Sequence, residues 1–446
     1  MVVRARPHRL EIVRAIDPLI TAARLARSGC FDSYVVYERK GWWCFAGGVL
    51  GSVELRRDTV TASWRGAPPP RKAADQPLQQ VARTLGEAPW KGWRAYGWAA
   101  FELAYALHGR SDLLHGEAGD DPLVHLAIPE VEIQLHPNGA ILSGVNDNAL
   151  HACAEHIRES ATECEQLPQP QEVETPDEHY RSIVAASIAE IKKRQLNKVI
   201  LSRTIPIDFG VDLAATYVRG RRNNTPARSF LLNLGGVEAA GFSPETVVEV
   251  DRTGRVTTQP LAGTRELTGA QDENLKLRTA LLCDPKEIFE HAISVKVAYD
   301  ELATLCGTGQ AQVDEFMSVR ERGSVQHLAS RVSGRLPSGR NEWDALAALF
   351  PAVTASGTPK PEALDSIHRH EAGPRGLYGG AVLAVSSYRE MDAALVLRAI
   401  YRKAGRTWLR AGAGIVEHSL PDREHQETCE KLRSVAPHVV PHRTET

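Results

Sequence analysis

A glycine-rich run followed by an acidic helical segment is the part of the sequence whose residue types could most directly do chemistry. Gly412 and Gly414 lie two residues apart at the exit of a predicted strand. Glu424, Glu427 and Lys431 follow at spacings of three and four residues, so their side chains share one sector of a helix. Two carboxylates and an ammonium beside a loop that a ligand can approach closely suit a divalent cation and an anionic ligand. A solvated acidic helix face is the alternative interpretation.

A second acidic strip is predicted on the helix that begins after Asp284. Asp284 and Pro285 supply an N-cap and a proline at the first helical position, Glu287 supplies a capping-box glutamate, and the helix extends through Cys306. Its polar strip consists of Glu287, Glu290, Ser294 and Glu301. Because apolar residues occupy most of the rest of this helix, a carboxylate there needs a cation or a hydrogen-bond donor. The alternative is a solvated strip in which Glu287 only caps the helix.

Two basic residues on predicted strands are further candidates. Arg398 shares a strand face with Val396 and Ile400, and a guanidinium among apolar neighbours requires a carboxylate or phosphate partner. That partner is either an internal Asp or Glu or a ligand. Lys198 lies where a predicted helix gives way to a strand. It is either a solvated strand end or, in a dry cleft, a base whose pKa is lowered by burial.

Composition limits the class of protein in which these residues act. The chain has 446 residues, 43% of them hydrophobic, which is enough to bury a large core. Its formal net charge of −2 gives no general electrostatic case for nucleic acid or an anionic membrane as a partner. Neither an apolar leader nor a bilayer-spanning stretch occurs, so we expect a cytoplasmic protein. The seven scattered cysteines argue against both a disulfide framework and a zinc site.

The candidate residues must be positioned by elements on either side of one composition break. A Pro- and Gln-rich connector is predicted at 166–176. It separates an N-terminal part, 1–165, from a C-terminal region, 177–440, and we expect the two to form one globular unit.

The C-terminal region is predicted to begin with a helix and to continue with short strands. The helix has Thr175 as its expected N-cap and Pro176 at its first position, and it ends near Gln195. Tight turns between several of the strands predict antiparallel pairing and an α+β fold. The predicted strands are Lys198 to Ile207, Arg228 to Leu234, Thr246 to Val250, Arg255 to Gln259, Leu377 to Val385, Ala394 to Arg402 and Thr407 to Arg410.

Taken in order along the chain, these segments resemble the chorismate-utilising enzymes and, within them, the salicylate synthases. The resemblance covers about residues 198 to 431 and implies two large antiparallel sheets packed face to face with helices outside. Its motifs are Lys198–Arg203, Gly241–Glu245, Pro260–Arg265, Lys286–His291, Arg320–Leu328, Phe350–Gly357, Arg375–Tyr378 and Gly412–Lys431.

The resemblance implies a magnesium site and an acid–base pair. Mg²⁺ would be held by Glu290 and Glu427, with Glu287 and Glu424 contributing directly or through water. The physics agrees, because Mg²⁺ prefers oxygen ligands and bridges a few carboxylates to an anionic substrate. Lys198 would activate a water that attacks ring C2 of chorismate, while Glu245 would protonate the departing C4 hydroxyl to give isochorismate.

The resemblance also implies which residues bind chorismate. Its ring carboxylate would lie on the metal and Lys431. Its enolpyruvyl carboxylate would be bound by Arg398, Tyr378 and the backbone at Gly412 and Gly414. The residues expected to line the ring are Thr264, His327 and Thr354.

Two positions indicate the branch of the family. Lys198 together with Ala262 resembles the members that add water, which act without a glutamine-amidotransferase subunit; isochorismate synthases share this pair. The residues of Lys286–His291 and Arg320–Leu328 resemble those of the salicylate synthases more than those of the isochorismate synthases. A salicylate synthase releases pyruvate in a second step and supplies a siderophore or another salicylate-containing product. Alternatives are an isochorismate synthase, anthranilate synthase component I and a catalytically dead chorismate-binding homologue. We expect a monomer.

Overall fold

Eleven helices and two large sheets are seen in the computed structural model, which describes residues 8–39, 41–64, 66–72, 76–114, 121–159, 167–268 and 270–442. Two short 3₁₀ turns, Ser111–Leu113 and Ala436–His438, accompany them. The described α-helices are α1 (Pro18–Arg27), α2 (Pro77–Gly86), α3 (Leu103–Leu107), α4 (Asp147–Arg158), α5 (Glu178–Lys192), α6 (Leu213–Arg222), α7 (Gln271–Cys283), α8 (Pro285–Cys306), α9 (Glu342–Leu349), α10 (Lys360–His370) and α11 (Pro421–Leu432).

The strands fall on both sides of the predicted connector. Those before it are β1 (His8–Val13), β2 (Tyr34–Arg39), β3 (Trp42–Gly47), β4 (Gly51–Arg56), β5 (Thr59–Ala62), β6 (Arg71–Lys72), β7 (Arg94–Ala99), β8 (Pro122–Ile128), β9 (Val131–His136) and β10 (Gly139–Gly144). Those after it are β11 (Lys198–Ile207), β12 (Arg228–Leu234), β13 (Val237–Ser243), β14 (Thr246–Val250), β15 (Arg255–Thr258), β16 (Leu261–Glu266), β17 (Gln312–Arg322), β18 (Val325–Arg335), β19 (Gly357–Thr358), β20 (Ala381–Ser386), β21 (Met391–Leu395), β22 (Ala399–Lys403) and β23 (Arg406–Ile415).

These strands form an 11-stranded and a 12-stranded sheet. The first runs β1-β10-β9-β3-β2-β12-β13-β22-β23-β11-β19, and the second runs β16-β18-β15-β14-β21-β20-β7-β8-β4-β5-β6, with β17 also paired to β18. Each sheet joins early and late strands, through the antiparallel pairs β2–β12 and β20–β7. The α+β class predicted from the sequence is confirmed.

Three buried cores account for the layering of the fold. One lies between the sheets and contains Phe230 and Tyr401 from the first sheet and Trp98 and Val382 from the second. The other two cover the outer faces of the sheets and include apolar residues of the helices, such as Leu213 of α6 and Leu302 of α8. Burying one such side chain stabilises the fold by about 1.5–3 kcal/mol. The sheets therefore pack face to face with helices outside, as predicted.

Several predicted elements have the expected bounds. Strands β11, β12 and β14 begin and end at the predicted residues. Helix α8 follows an N-cap at Asp284, whose side chain accepts hydrogen bonds from the backbone N–H groups of Lys286 and Glu287, and it ends at Cys306. The connector segment lacks helix and strand from 167 onward, while Gln166 lies outside the described residues. None of the helices that the structure describes is long and apolar enough to cross a membrane.

Other predicted boundaries were wrong. Helix α5 is capped by Asp177, not Thr175, because the Asp177 carboxylate accepts from the backbone N–H of Tyr180, and the helix ends at Lys192. The glycine-rich run is not a loop: β23 continues through Ile415 because it pairs with β11 along its length. Strand β20 begins only at Ala381, four residues after the predicted start.

Two further corrections bear on the site. Arg398 does not lie on a continuous strand, because β21 belongs to the second sheet and β22 to the first, and the chain crosses between them at Val396–Arg398. Its φ of 51° marks the reversal. Glu287 forms no capping box; its carboxylate instead accepts from the backbone N–H of Thr264 at 2.9 Å.

Candidate active site

One cavity collects most of the predicted site residues at the ends of both sheets. Strands β11, β16, β18 and β23, helices α8 and α11, and the crossover before β22 surround it. The predicted residues on its wall are Glu245, Thr264, Glu290, His327, Thr354, Tyr378, Arg398, Gly412, Gly414 and Lys431. The remaining predicted residues, Lys198, Glu287, Glu424 and Glu427, are buried next to this wall.

Glycine at 414 allows helix α8 to approach strand β23. Ile200 of β11 lies opposite Gly414, and Ser202 lies opposite Gly412. A Cβ atom on Gly414 would stand only 2.1 Å from Glu290 Oε1, which is far inside van der Waals contact. The glycine therefore lets a helix carboxylate reach the strand backbone.

A bulge in β16 aims a second set of side chains at the cavity. The register between β16 and β18 shifts between Ala262 and Thr264, where Gly263 has a φ of 79°. After the shift, Thr264 lies opposite His327, and the Thr264 hydroxyl is 3.2 Å from His327 Nδ1. Burial first, and then the nearby Arg398, lower the pKa of His327 well below its usual value. A neutral imidazole therefore faces the cavity.

Four buried carboxylates from two helices meet around one ammonium. Lys286 Nζ lies 3.4 Å from Glu287, 3.6 Å from Glu290, 3.3 Å from Glu424 and 4.0 Å from Glu427. Burial raises the pKa of Glu424 to about 7, with Glu427 adding to the effect against the pull of Lys286. The strips predicted on α8 and α11 are therefore one acidic cluster and not solvated faces.

This cluster has oxygen atoms left over for a cation. Among the described residues, Glu290 Oε2, both Glu424 oxygens and Glu427 Oε2 are buried without a hydrogen-bond partner. Glu287 differs, since both of its oxygens are occupied by Thr264, Arg265 and Lys286. Within the described part of the chain, no three acidic, His or Cys side chains are placed to hold a metal ion directly. The ammonium of Lys286 stands where the carboxylates converge, so a divalent cation of oxygen preference fits the donor set only if that ammonium moves.

Lys198 is fully buried and bound to helix α8. Its ammonium lies 3.0 Å from Glu290 Oε1 and donates to Ser294 Oγ at 3.0 Å. It is 0% exposed, which rules out the interpretation as a solvated strand end. To act on a water molecule in the cavity, the Lys198 nitrogen must leave its contact with Glu290, because that contact occupies it.

Glu245 has the character of a buried acid. Its oxygens accept hydrogen bonds from the backbone N–H of Leu261, at 2.5 Å, and from the Thr354 hydroxyl. Burial nevertheless raises the pKa of Glu245 to about 7, because desolvation outweighs these donors and the nearby Lys198 and Arg398. The carboxyl group is thus able to hold a proton near neutral pH.

Arg398 is a buried cation without a carboxylate partner among the described residues. It donates to the backbone carbonyl of Arg322 at 2.6 Å and contacts His327 Nε2. Burial, followed by the charge of Arg322, lowers the pKa of Arg398 to about 9. Of the two partners considered from the sequence, no Asp or Glu in the described part of the chain lies within ion-pair distance of Arg398, which leaves an anionic ligand.

Tyr378 and Lys431 line the part of the cavity wall next to Gly412. Lys431 Nζ lies 2.8 Å from Glu427 Oε1 and donates to the carbonyl of Gly412 at 2.9 Å. Tyr378 is 2% exposed, and the Arg410 guanidinium lies 5.4 Å from its ring. Anionic groups in this part of the cavity can therefore meet an ammonium, from Lys431, or a phenol, from Tyr378.

Sequence reasoning assigned no role to three residues of this site. Lys286 belongs to the motif Lys286–His291 of the family resemblance, yet its place at the centre of the carboxylates depends on how α8 and α11 pack. Arg410 lines the cavity and shares a strand face with Gly412 and Gly414, so period-two alternation along β23 could have found it. Ser294 was in the predicted polar strip but was not linked to Lys198.

Comparisons with known proteins agree with this geometry. Residues 34–437 match the family model described as chorismate binding enzyme. The chain is 43% identical to a salicylate synthase of Mycolicibacterium paratuberculosis (strain ATCC BAA-968 / K-10), covering 95% of this chain and 94% of that protein. It is 29% identical to anthranilate synthase component 1 of Mycolicibacterium smegmatis (strain ATCC 700084 / mc(2)155), over 94% of this chain and 87% of that protein. The crystal structure of anthranilate synthase component I from Streptococcus pneumoniae TIGR4 superposes with a TM-score of 0.74 at 25% identity, over 89% of this chain and 92% of that chain.

Proposed function

The chain belongs to the chorismate-binding enzyme family, and on this premise we propose that it is a salicylate synthase, converting chorismate through isochorismate to salicylate and pyruvate. The observation that carries the proposal is that one cavity brings Glu245, with its pKa of about 7, together with the unpaired Arg398 and the acidic cluster beside Lys198. Similarity to the salicylate synthase over most of both chains supports it.

Arg398 and Lys431 on the cavity wall suit the two carboxylates of chorismate. Arg398 would bind the enolpyruvyl carboxylate, with Tyr378 and the backbone at Gly412 and Gly414, because its guanidinium is buried without a carboxylate partner among the described residues. Lys431 would bind the ring carboxylate next to the metal site. Thr264, His327 and Thr354 would hold the ring between these anchors.

The proposed metal is Mg²⁺. Glu290, Glu424 and Glu427 would hold it, since their free oxygens are the donors that this cation prefers. Glu287 would support the site from outside, because its oxygens are committed to Thr264, Arg265 and Lys286. When bound, Mg²⁺ would neutralise the substrate's ring carboxylate against the surrounding glutamates.

Lys198 and Glu245 would carry out the first step. Held by Glu290, Glu424 and Glu427, Mg²⁺ would supply positive charge beside the Glu290 carboxylate. Lys198, once out of its contact with Glu290, would take a proton from water as the oxygen attacks ring C2. Glu245 gives its proton to the C4 hydroxyl, which leaves as water. The raised pKa of Glu245 is what this acid role requires.

The second step would depend on holding isochorismate in one conformation more than on acid or base side chains. The C2–H hydrogen moves to the enolpyruvyl methylene while the C–O bond to pyruvate breaks, a cyclic shift within the substrate. Arg398 and Lys431 would hold the side chain and the ring in the conformation that brings these atoms together.

Water, and not ammonia, is the proposed nucleophile. Lys198 and Ala262 are the pair that resembles the water-adding members, so no amidotransferase subunit is proposed. An isochorismate synthase, which would stop after the first step, is the second candidate because it shares this pair.

The test is incubation of the purified protein with chorismate and Mg²⁺, followed by chromatographic identification of products. We expect salicylate and pyruvate in equal amounts, and no turnover with EDTA. Accumulation of isochorismate without pyruvate would support the second candidate. Anthranilate formed on addition of ammonium would refute the role given to Lys198.

A further inference from the structure

A second, smaller cavity lies directly behind Glu245. Glu245 and Thr354 line both this cavity and the active-site cavity, so they form the partition between them. The small cavity has about 10 Å³ for the centre of a water molecule, close to the least space that one water needs. Its wall also includes Thr258 and Glu301, neither of which lines the active-site cavity.

Glu301 connects this cavity to the surface. It lies on α8, and its carboxylate pairs with Lys360 Nζ of α10 at 2.7 Å. The Glu301 side chain is 20% exposed and the Lys360 side chain only 6%. One end of the ion pair therefore reaches solvent while the other is shielded.

The proposed first step leaves Glu245 in need of a proton. Its proton goes to the C4 oxygen, which departs as water when the C4–O bond breaks, while the attacking water forms the C2–O bond and gives a proton to Lys198. No proton is consumed overall, but Glu245 ends ionised and must be reprotonated before the next turnover. Product still fills the active-site side of Glu245 at that moment.

We propose that Glu301, held by Lys360, returns a proton from solvent to Glu245 through one water in the small cavity and the Thr354 hydroxyl. The inference rests on the proposed acid role of Glu245. Thr354 lines the small cavity and its hydroxyl already donates to Glu245, so that hydroxyl is able to accept from a water in the cavity while it donates to the carboxylate. Glu301 is a positioning and proton-supplying residue that does not touch substrate.

The charges around this path are compatible with it. Burial raises the pKa of Glu301, which favours uptake of a proton, and Lys360 opposes this effect. The titratable or charged groups that face the path are Lys360 and Asp300 at Glu301, Lys198 and Arg398 at Glu245, and His108 near Lys360.

The test compares the first turnover with later ones. The variant Glu301→Gln/Lys360→Met removes the proton carrier without leaving a buried unpaired lysine, and Glu301→Gln alone checks that the second change is not responsible. The matched control is Glu190→Gln, which breaks contacts with Ser366 and His370 of the same helix α10 but does not line the small cavity.

Rapid-quench measurements of chorismate consumption at pH 6, where Glu245 begins the first turnover protonated, decide the proposal. We expect both Glu301 variants to consume the first equivalent of chorismate at the wild-type rate and then to turn over about tenfold more slowly, with a larger solvent deuterium isotope effect. Pyruvate release from supplied isochorismate, which needs no proton from Glu245, is expected to be unchanged. Wild-type protein that consumes no chorismate would overturn the proposed function. If the wild type turns over but the Glu301 variants are slowed equally in the first and later turnovers, the proton path alone is overturned. The same conclusion follows if the variants are not slowed at all.

Discussion

The ammonium of Lys286 lies 3.3 Å from Glu424 Oε1, and through this contact it joins helix α8 to helix α11. Burial alone would lower the pKa of Lys286, but Glu290, Glu427 and Glu424 outweigh it and hold the pKa above its usual value. The lysine thus acts as the counter-charge of the acidic cluster. A divalent cation at the same carboxylates would have to displace it, so the proposed metal binding would compete with the Lys286 contact.

Replacing Lys286 by Met is therefore expected to destabilise the metal-free protein by about 3 kcal/mol, because the buried carboxylates lose their partner. The same variant is expected to gain more stability from Mg²⁺ than the wild type. Thermal unfolding in EDTA and at rising Mg²⁺ concentration measures both effects. Lys296→Met is the control, since Lys296 is an exposed lysine on the same helix. Equal Mg²⁺-dependent shifts in Tm for the wild type and Lys286→Met would refute the competition.

The pKa of Glu245 sets the expected pH dependence. This pKa is raised to about 7, so the protonated acid is lost above that pH, and kcat/KM for chorismate is expected to fall about tenfold per pH unit there. Thr354 lowers the pKa of Glu245 through its hydrogen bond. Thr354→Val is therefore expected to move the falling limb to higher pH, whereas Thr354→Ser, which keeps the hydroxyl, leaves it in place. If kcat/KM falls at the same pH in Thr354→Val as in the wild type, the fall reports the titration of a group other than Glu245.

Arg398→Lys tests the anion anchor. Lysine keeps the charge but not the planar fork of the guanidinium, so the transition state is expected to lose about 2 kcal/mol of stabilisation. This loss corresponds to a roughly 30-fold lower kcat/KM for chorismate. Arg402→Lys is the matched control on the next strand, where the guanidinium pairs with Glu238 on the protein itself. Steady-state kinetics of both variants measure the effect. Unchanged constants for Arg398→Lys would mean that this guanidinium binds only the protein.

The acidic cluster could be predicted from the sequence because helical periodicity is local. A spacing of three residues placed Glu287 with Glu290, and Glu424 with Glu427, whatever the two helices packed against. Their meeting across α8 and α11 is a tertiary contact, and only the family resemblance anticipated it. The position of the Lys286 ammonium among the four carboxylates was missed because it also depends on how α8 and α11 pack.

Arg398 shows where pattern reasoning failed. The chain is apolar from Ala393 to Leu397 and again from Ala399 to Tyr401, as in one long buried strand, so the pattern gave no sign that the chain changes sheets. The positive φ of Arg398 has no sequence signal either, since glycine is the usual marker of that region. By contrast, the hairpin of β14 and β15 was predicted well because Gly254 marks its turn.

The relation of Lys198 to Glu290 separates the two proposed half-reactions. Lys198→Ala removes the base that activates water but leaves the carboxylates, Arg398 and Tyr378 in place. It is expected to abolish chorismate conversion while retaining a larger fraction of pyruvate release from supplied isochorismate, because the second step moves a hydrogen within the substrate. Glu290→Gln removes a metal ligand that both steps need, so both activities are expected to fall together. Each variant is measured with each substrate, with folding checked by circular dichroism and Mg²⁺ binding by calorimetry. Equal losses of both activities in Lys198→Ala, in a protein that folds and binds Mg²⁺, would show that Lys198 anchors the substrate and is not a dedicated base.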